Sequence, residues 1–98
     1  MNYIEENFHK WTPVLHKYPN KRTAIKYESL ENGYPGQECM ATVNIPDEPL
    51  ENDEVIIKSY SENEGIYDLM VAAEHISPAV RYITTGFVTC PVCKLLIK

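Results

Sequence analysis

Ser61-Glu62-Asn63-Glu64-Gly65-Ile66-Tyr67-Asp68-Leu69-Met70, continuing to Ile76, is the stretch that decides the fold. Ser61 followed three residues later by Glu64 has the form of a capping box. The hydroxyl takes one orphan backbone N–H and the carboxylate reaches back to another. Acidic residues in the first turn suit the positive end of the helix dipole. Ile66, Leu69, Met70, Ala73 and Ile76 then recur at helical spacing and form one apolar face. The pattern predicts one amphipathic helix in a chain that otherwise reads as strand.

Working outward, Glu54 to Tyr60 is expected as a strand with an apolar centre, Val55-Ile56-Ile57. Ahead of it, Pro46-Asp47-Glu48-Pro49-Leu50-Glu51-Asn52-Asp53-Glu54 reads as a loop stiffened by two prolines and carrying five carboxylates. Arg22 to Leu30 alternates, with Thr23, Ile25 and Tyr27 on one side and Lys26 and Glu28 on the other. Asn32-Gly33 is a hairpin signal, since both residues tolerate the positive φ of a type I′ turn. A returning strand from about Tyr34 to Ile45 carries a bulge signal at Pro35-Gly36. Phe8 to Lys17 is read as a strand with Pro13 at an edge or bulge. After the helix, Ser77-Pro78 stops it, and Val80 to Thr84, the Thr85-Gly86 turn and Phe87 to Ile97 form a last hairpin. The expected fold is α+β. It is one curved antiparallel sheet of about five to six strands, in the order β-β-β-β-α-β-β, with the helix packed on one face.

The 98 residues make a single domain, residues 1–98. A chain of this size buries somewhat under ~70% of its unfolded surface, enough for one two-layer core. No segment approaches the roughly 20 apolar residues of a membrane span, and Met1-Asn2-Tyr3-Ile4-Glu5-Glu6 lacks the basic and apolar regions of a signal peptide. Three cysteines without such a signal favour reduced thiols and a cytoplasmic location. Charge is unevenly placed. Residues 31–68 hold ten Asp/Glu against one Lys, whereas residues 1–30 and 69–98 are each +2. That distribution argues against direct nucleic-acid binding, which needs a basic stripe.

Cys90-Pro91-Val92-Cys93 has the spacing of a zinc clip or a redox dithiol. A structural zinc needs four ligands, and only Cys39 and the histidines His9, His16 and His75 remain to complete it. In a β-run the two cysteines also point to opposite faces. The bland reading is buried structural thiols, with Cys39, Cys90 and Cys93 as weak metal candidates. His75, in the last helical turn, is expected to complement the helix dipole. His9 and His16 are expected on an exposed strand face. Four glycines at 33, 36, 65 and 86 make no phosphate loop. The carboxylates of the loop are not held in a pair for acid–base work, and the loop lacks the mid-loop glycine of a calcium site. No catalytic residue and no cofactor are expected.

Asn32-Gly33, Ala41-Thr42-Val43-Asn44-Ile45-Pro46, the run from Asn52 through Ser61-Glu62-Asn63-Glu64-Gly65, and Thr85-Gly86-Phe87-Val88 occur in an order that carries a resemblance. Over roughly residues 20–97 the chain resembles a family of small uncharacterised proteins encoded on conjugative elements, plasmids and phages of Gram-positive bacteria. The family carries no established activity and no catalytic residues. The resemblance implies a cytoplasmic accessory protein of a mobile element.

These readings point to a non-enzymatic protein that works through protein–protein interaction at an acidic, tyrosine-flanked surface. The expected surface is Asp47, Glu48, Glu51, Asp53, Glu54, Glu62 and Glu64, with Tyr34, Tyr60 and Tyr67 exposed beside it. The partner is an unidentified protein, and no membrane is involved. The alternatives are a small zinc-binding domain using Cys39, Cys90 and Cys93, and an acidic nucleic-acid mimic that inhibits a host defence enzyme. An unprotected strand edge also allows a homodimer.

Overall fold

Residues 61–76, one helix by periodicity, fold as two pieces. The computed structural model describes residues 3–6, 9–31 and 34–97, the side chains of Glu6, His9, Leu30, Glu31, Tyr34, Pro35 and Glu62 apart. In it a 3₁₀ turn spans Ser61–Asn63 and α1 spans Ile66–Ala72. Gly65, at φ 90°, breaks the path between them, and Ser61 itself stands at φ 55°. No side-chain hydrogen bond caps either piece, so the expected capping box is not formed. The cause is Asn63. Its buried side chain donates to the Met40 carbonyl at 2.7 Å and accepts from the Cys39 thiol at 3.2 Å, tying this segment to a distant strand. Two groups satisfied inside the protein outweigh a surface cap worth about 1 kcal/mol.

The far end of α1 closes as a Schellman motif. His75 N–H bonds the Met70 carbonyl and Glu74 N–H bonds that of Val71, both at 3.0 Å. Glu74 takes the left-handed position at φ 62°, where glycine is usual. The apolar face of the helical segment does what its spacing requires. Met70, Ala73 and Ile76 are buried and Ile66 and Leu69 pack against them. Full burial of a side chain such as Met70 or Ile76 contributes about 1.5–3 kcal/mol relative to exposure.

The domain is α+β, with two antiparallel sheets rather than one. The first holds β1 (Ile4–Glu6), β2 (His9–Lys17), β3 (Thr23–Glu31) and β4 (Tyr34–Met40) in sequential order. The second holds β5 (Glu54–Ile56), β6 (Arg81–Thr85) and β7 (Val88–Lys94) in the order β5-β7-β6. Five strands precede α1, not four, because Ile4–Glu6 pairs with residues 9–11. Pro13 lies within β2 opposite Tyr27 of β3.

The expected long strand 34–45 divides at Ala41. Ala41 N–H still bonds Ile25 on β3, but its carbonyl accepts from Lys58, and Thr42 bridges Ile57. The sheets are stitched at this crossing by small or polar residues. Ala41 is fully buried, and the Thr42 hydroxyl bonds the Tyr18 phenol at 2.8 Å and takes Ile25 N–H at 3.2 Å. Asn32-Gly33 lies outside the described residues, although Glu31 pairs with Tyr34 on either side of it. The register slips between Glu28 and Leu30, so that β4 carries the extra residue that Pro35-Gly36 signals. The buried Ser29 hydroxyl accepts Gln37 N–H at 2.9 Å and fills the gap.

Two apolar clusters result. Ile4, Ile25, Tyr27, Val55, Ile57 and Cys93 meet the helix on one side of the second sheet. Ile56, Cys90 and Val92 form the other, covered by Val43, Ile45, Leu50, Tyr60, Ile83 and Val88. The second sheet is therefore buried on both faces, which is why Val55-Ile56-Ile57 reads as a continuous apolar run.

Candidate interaction surface

Loop 46–54 has no strand partner for most of its length, so its carbonyls need donors from elsewhere. Two arginines supply them. Arg22, just ahead of β3, donates from Nη1 to the Ile45 carbonyl at 2.8 Å and from Nη2 to that of Glu48. Arg81, at the start of β6, donates from Nη2 to the Pro49 carbonyl at 2.8 Å and from Nη1 to Glu54 Oε2 at 2.9 Å. Glu54 Oε1 accepts Glu51 N–H at 2.9 Å, which closes the loop on itself. The prolines fix φ on either side of these contacts.

The loop is thus a clamped element, and its carboxylates divide by role. Glu54, expected at the interaction surface, is buried and serves the clamp. The Arg81 guanidinium, then the Glu51 N–H, hold its carboxyl below the usual range against the opposing effect of burial. Glu54 in turn raises Arg81. Asp53 is exposed and pairs with Lys94 Nζ at 3.2 Å. Asp47 and Glu51 are exposed and Glu48 is half-buried. Beside the clamp lies an open hollow of about 330 Å³ lined by Glu48, Pro49, Leu50, Glu51, Glu54 and Arg81.

The expected tyrosine flank is built differently. Tyr60 is half-buried on the second cluster with Ile45 and Leu50, and joins the loop to the 3₁₀ turn. Lys58 Nζ lies 5.7 Å from its ring centroid. Tyr67 is half-buried on the first cluster, and its phenol accepts Ala79 N–H at 2.8 Å. Both are scaffold before they are surface. Glu64 is exposed. The side chains of Tyr34 and Glu62 lie outside those described.

Cys39, Cys90 and Cys93 form no disulfide and are not gathered. Cys93 belongs to the first cluster and Cys90 to the second, as their spacing in a strand requires. Burial pushes the Cys93 thiol up to about 12 and raises Cys90 as well. Among the described residues no group of three His, Cys, Asp or Glu side chains could hold a metal ion. His75 lies beyond the helix end and is fully buried against Tyr27, instead of complementing the dipole at the surface. His16 is exposed, and the side chain of His9 is outside those described.

Sequence reasoning missed Arg22, Arg81 and Lys94, the cations that organise the acidic loop. The available signal was the loop itself, since a proline-bearing segment with no ladder partner needs donors from its neighbours. Compared with models of known protein families, with curated proteins and with solved structures, the chain matches none. Among the described residues no helix is long and apolar enough to cross a membrane.

Proposed function

We propose that the protein is a non-enzymatic binding module that presents loop 46–54 to a basic surface on a partner protein. The observation that carries this reading is the double arginine clamp. Arg22 and Arg81 hold the backbone between Ile45 and Glu54 while Asp47 and Glu51 stay exposed and Glu48 half-buried. A loop ordered before contact loses less conformational freedom on binding, so more of the charge attraction appears as affinity. The family resemblance supports a cytoplasmic accessory role on a mobile element, and three cysteines with no disulfide among them suit a reducing compartment.

The test uses an immobilised lysine- and arginine-rich peptide as the basic probe and follows binding as salt is raised. Exposed charges are screened beyond ~10 Å at 0.1 M salt. Binding is expected to weaken steeply with salt and to fall again in the Asp47→Asn/Glu51→Gln double variant. Affinity indifferent to both salt and neutralisation overturns the reading.

A further inference from the structure

From the open edge of β6 we infer that the protein pairs with a second copy of itself, β6 against β6 in antiparallel register about a two-fold axis at Ile83. β6 is the last strand of the β5-β7-β6 sheet. The Val92 carbonyl of β7 accepts from Val80, on the β6 side, whereas the Pro91 carbonyl accepts from Ile57, on the β5 side. The peptide groups of an antiparallel strand alternate in direction. Tyr82 and Thr84, opposite Pro91 and Thr89, therefore turn their N–H and C=O away from β7.

The other strand edges described carry devices that discourage pairing. β1 is three residues long and ends Glu5-Glu6. β4 carries Pro35, a register slip and Glu38. The outer side of β5 runs on into the Thr42–Ile57 bridge. β6 reads Arg-Tyr-Ile-Thr-Thr, with no proline, lysine or bulge. Its single charge, Arg81, is already paired with Glu54.

The edge complements itself. With Ile83 opposite Ile83 of the second copy, Tyr82 of each chain faces Thr84 of the other. The outward peptide groups of both residues then close hydrogen-bonded pairs. Arg81 falls opposite Thr85, so no like charges meet. Ile83, half-buried at the rim of the second cluster, gains an apolar cross-strand neighbour. Val80 and Phe87 flank the strand and are exposed, Phe87 completely. In the same register Val80 of one chain falls opposite Gly86 of the other, one position from Phe87. With Tyr82, 63% exposed, Val80 and Phe87 make up three of the five large apolar side chains exposed among the described residues.

Sedimentation of the full chain over a range of concentrations tests this, with Thr84→Pro and Tyr82→Lys as edge variants. Proline at 84 removes an outward N–H and one exposed hydroxyl contact, Thr84 Oγ1 to Thr89 Oγ1 at 3.3 Å, and Tyr82 is mostly exposed, so both variants are expected to keep the monomer fold. The expected result is wild-type mass rising to twice that of one chain, with both variants staying monomeric. Amide exchange of the wild type is read in parallel, and Tyr82 and Thr84 should slow as concentration rises. That measurement decides the matter if a variant misfolds. A wild type that stays monomeric overturns the inference. So does a dimer that survives in both folded variants, or one in which the amides of Tyr82 and Thr84 exchange at the monomer rate.

Discussion

Tyr27 Oη lies 2.8 Å from His75 Nδ1, and the two rings stack 5.8 Å apart with 17° between their planes. One residue comes from the middle of β3 and the other from the turn that ends the helical segment, and both are buried. Burial, with a smaller contribution from Cys39, pushes the Tyr27 phenol well above its ordinary value, so it stays protonated as a donor. The contact fixes where the helix end docks on the first sheet, a constraint that apolar contact alone specifies loosely.

Tyr27→Phe keeps the ring and removes the hydroxyl, so a buried imidazole nitrogen loses that partner. The expected cost is about 1–3 kcal/mol. Denaturant unfolding should show it as a lower midpoint at unchanged slope. The Tyr27→Phe/His75→Leu double variant should lose less than the sum of the singles, because the hydroxyl and the imidazole form one interaction. Strict additivity would mean that the hydrogen bond contributes nothing.

Glu74 offers a change in the other direction. It occupies the left-handed position of the Schellman motif at φ 62°, and its side chain is exposed. A residue with a Cβ pays about 1–2 kcal/mol for that conformation, and glycine escapes it at some cost in unfolded-state entropy. Glu74→Gly should therefore stabilise the domain by about 1 kcal/mol, a rise of roughly 4–8 °C in Tm for a chain of this size. A lower melting temperature would show that the Glu74 side chain makes a contribution larger than its backbone strain.

The sequence made some of this legible and not the rest, for physical reasons. β3 was readable because one face meets core and the other solvent, so Ile25 and Tyr27 alternate with Lys26 and Glu28. The last hairpin was readable because Gly86, at φ 59°, opens a two-residue turn that needs it. The helix break was not, because the residue responsible, Asn63, acts through Met40 and Cys39, 23 and 24 positions away. Glu54 reads as part of the exposed acidic surface because local pattern cannot show that Arg81, 27 residues on, pairs with it in a buried position. His75 follows a helix that ends one turn earlier than its apolar spacing implies, so a position that counts as helix surface is interior.

The thiols should separate in reactivity. Cys90 and Cys93 are fully buried and held protonated, whereas Cys39 is partly accessible. Alkylation requires the thiolate and access to it. Brief treatment of the native chain followed by mass spectrometry should label Cys39 first. Cys90 and Cys93 should react only under denaturing conditions, both with and without a chelator. Labelling of Cys93 at the rate of Cys39 in native protein would contradict the packing of the first cluster.

Glu54 sets an acid limit on the clamped loop. Its carboxyl is held below the usual range chiefly by Arg81 and then by the Glu51 N–H. As pH falls, the unfolded chain binds a proton at this position before the folded chain does. The stability this group contributes is complete above the ordinary glutamate value, roughly 4.3. It is lost as pH drops through the lower folded value. Glu54→Gln keeps the side-chain volume but removes the charge that pairs with Arg81, and should cost about 2 kcal/mol at neutral pH. Unfolding curves taken from neutral pH down to about pH 3 should show the wild type losing stability faster than the variant, so that the gap narrows at the acid end. A gap that stays constant across that range would mean the Arg81 pairing does not stabilise the folded carboxylate, and the loop would then be held by the arginine–carbonyl bonds alone.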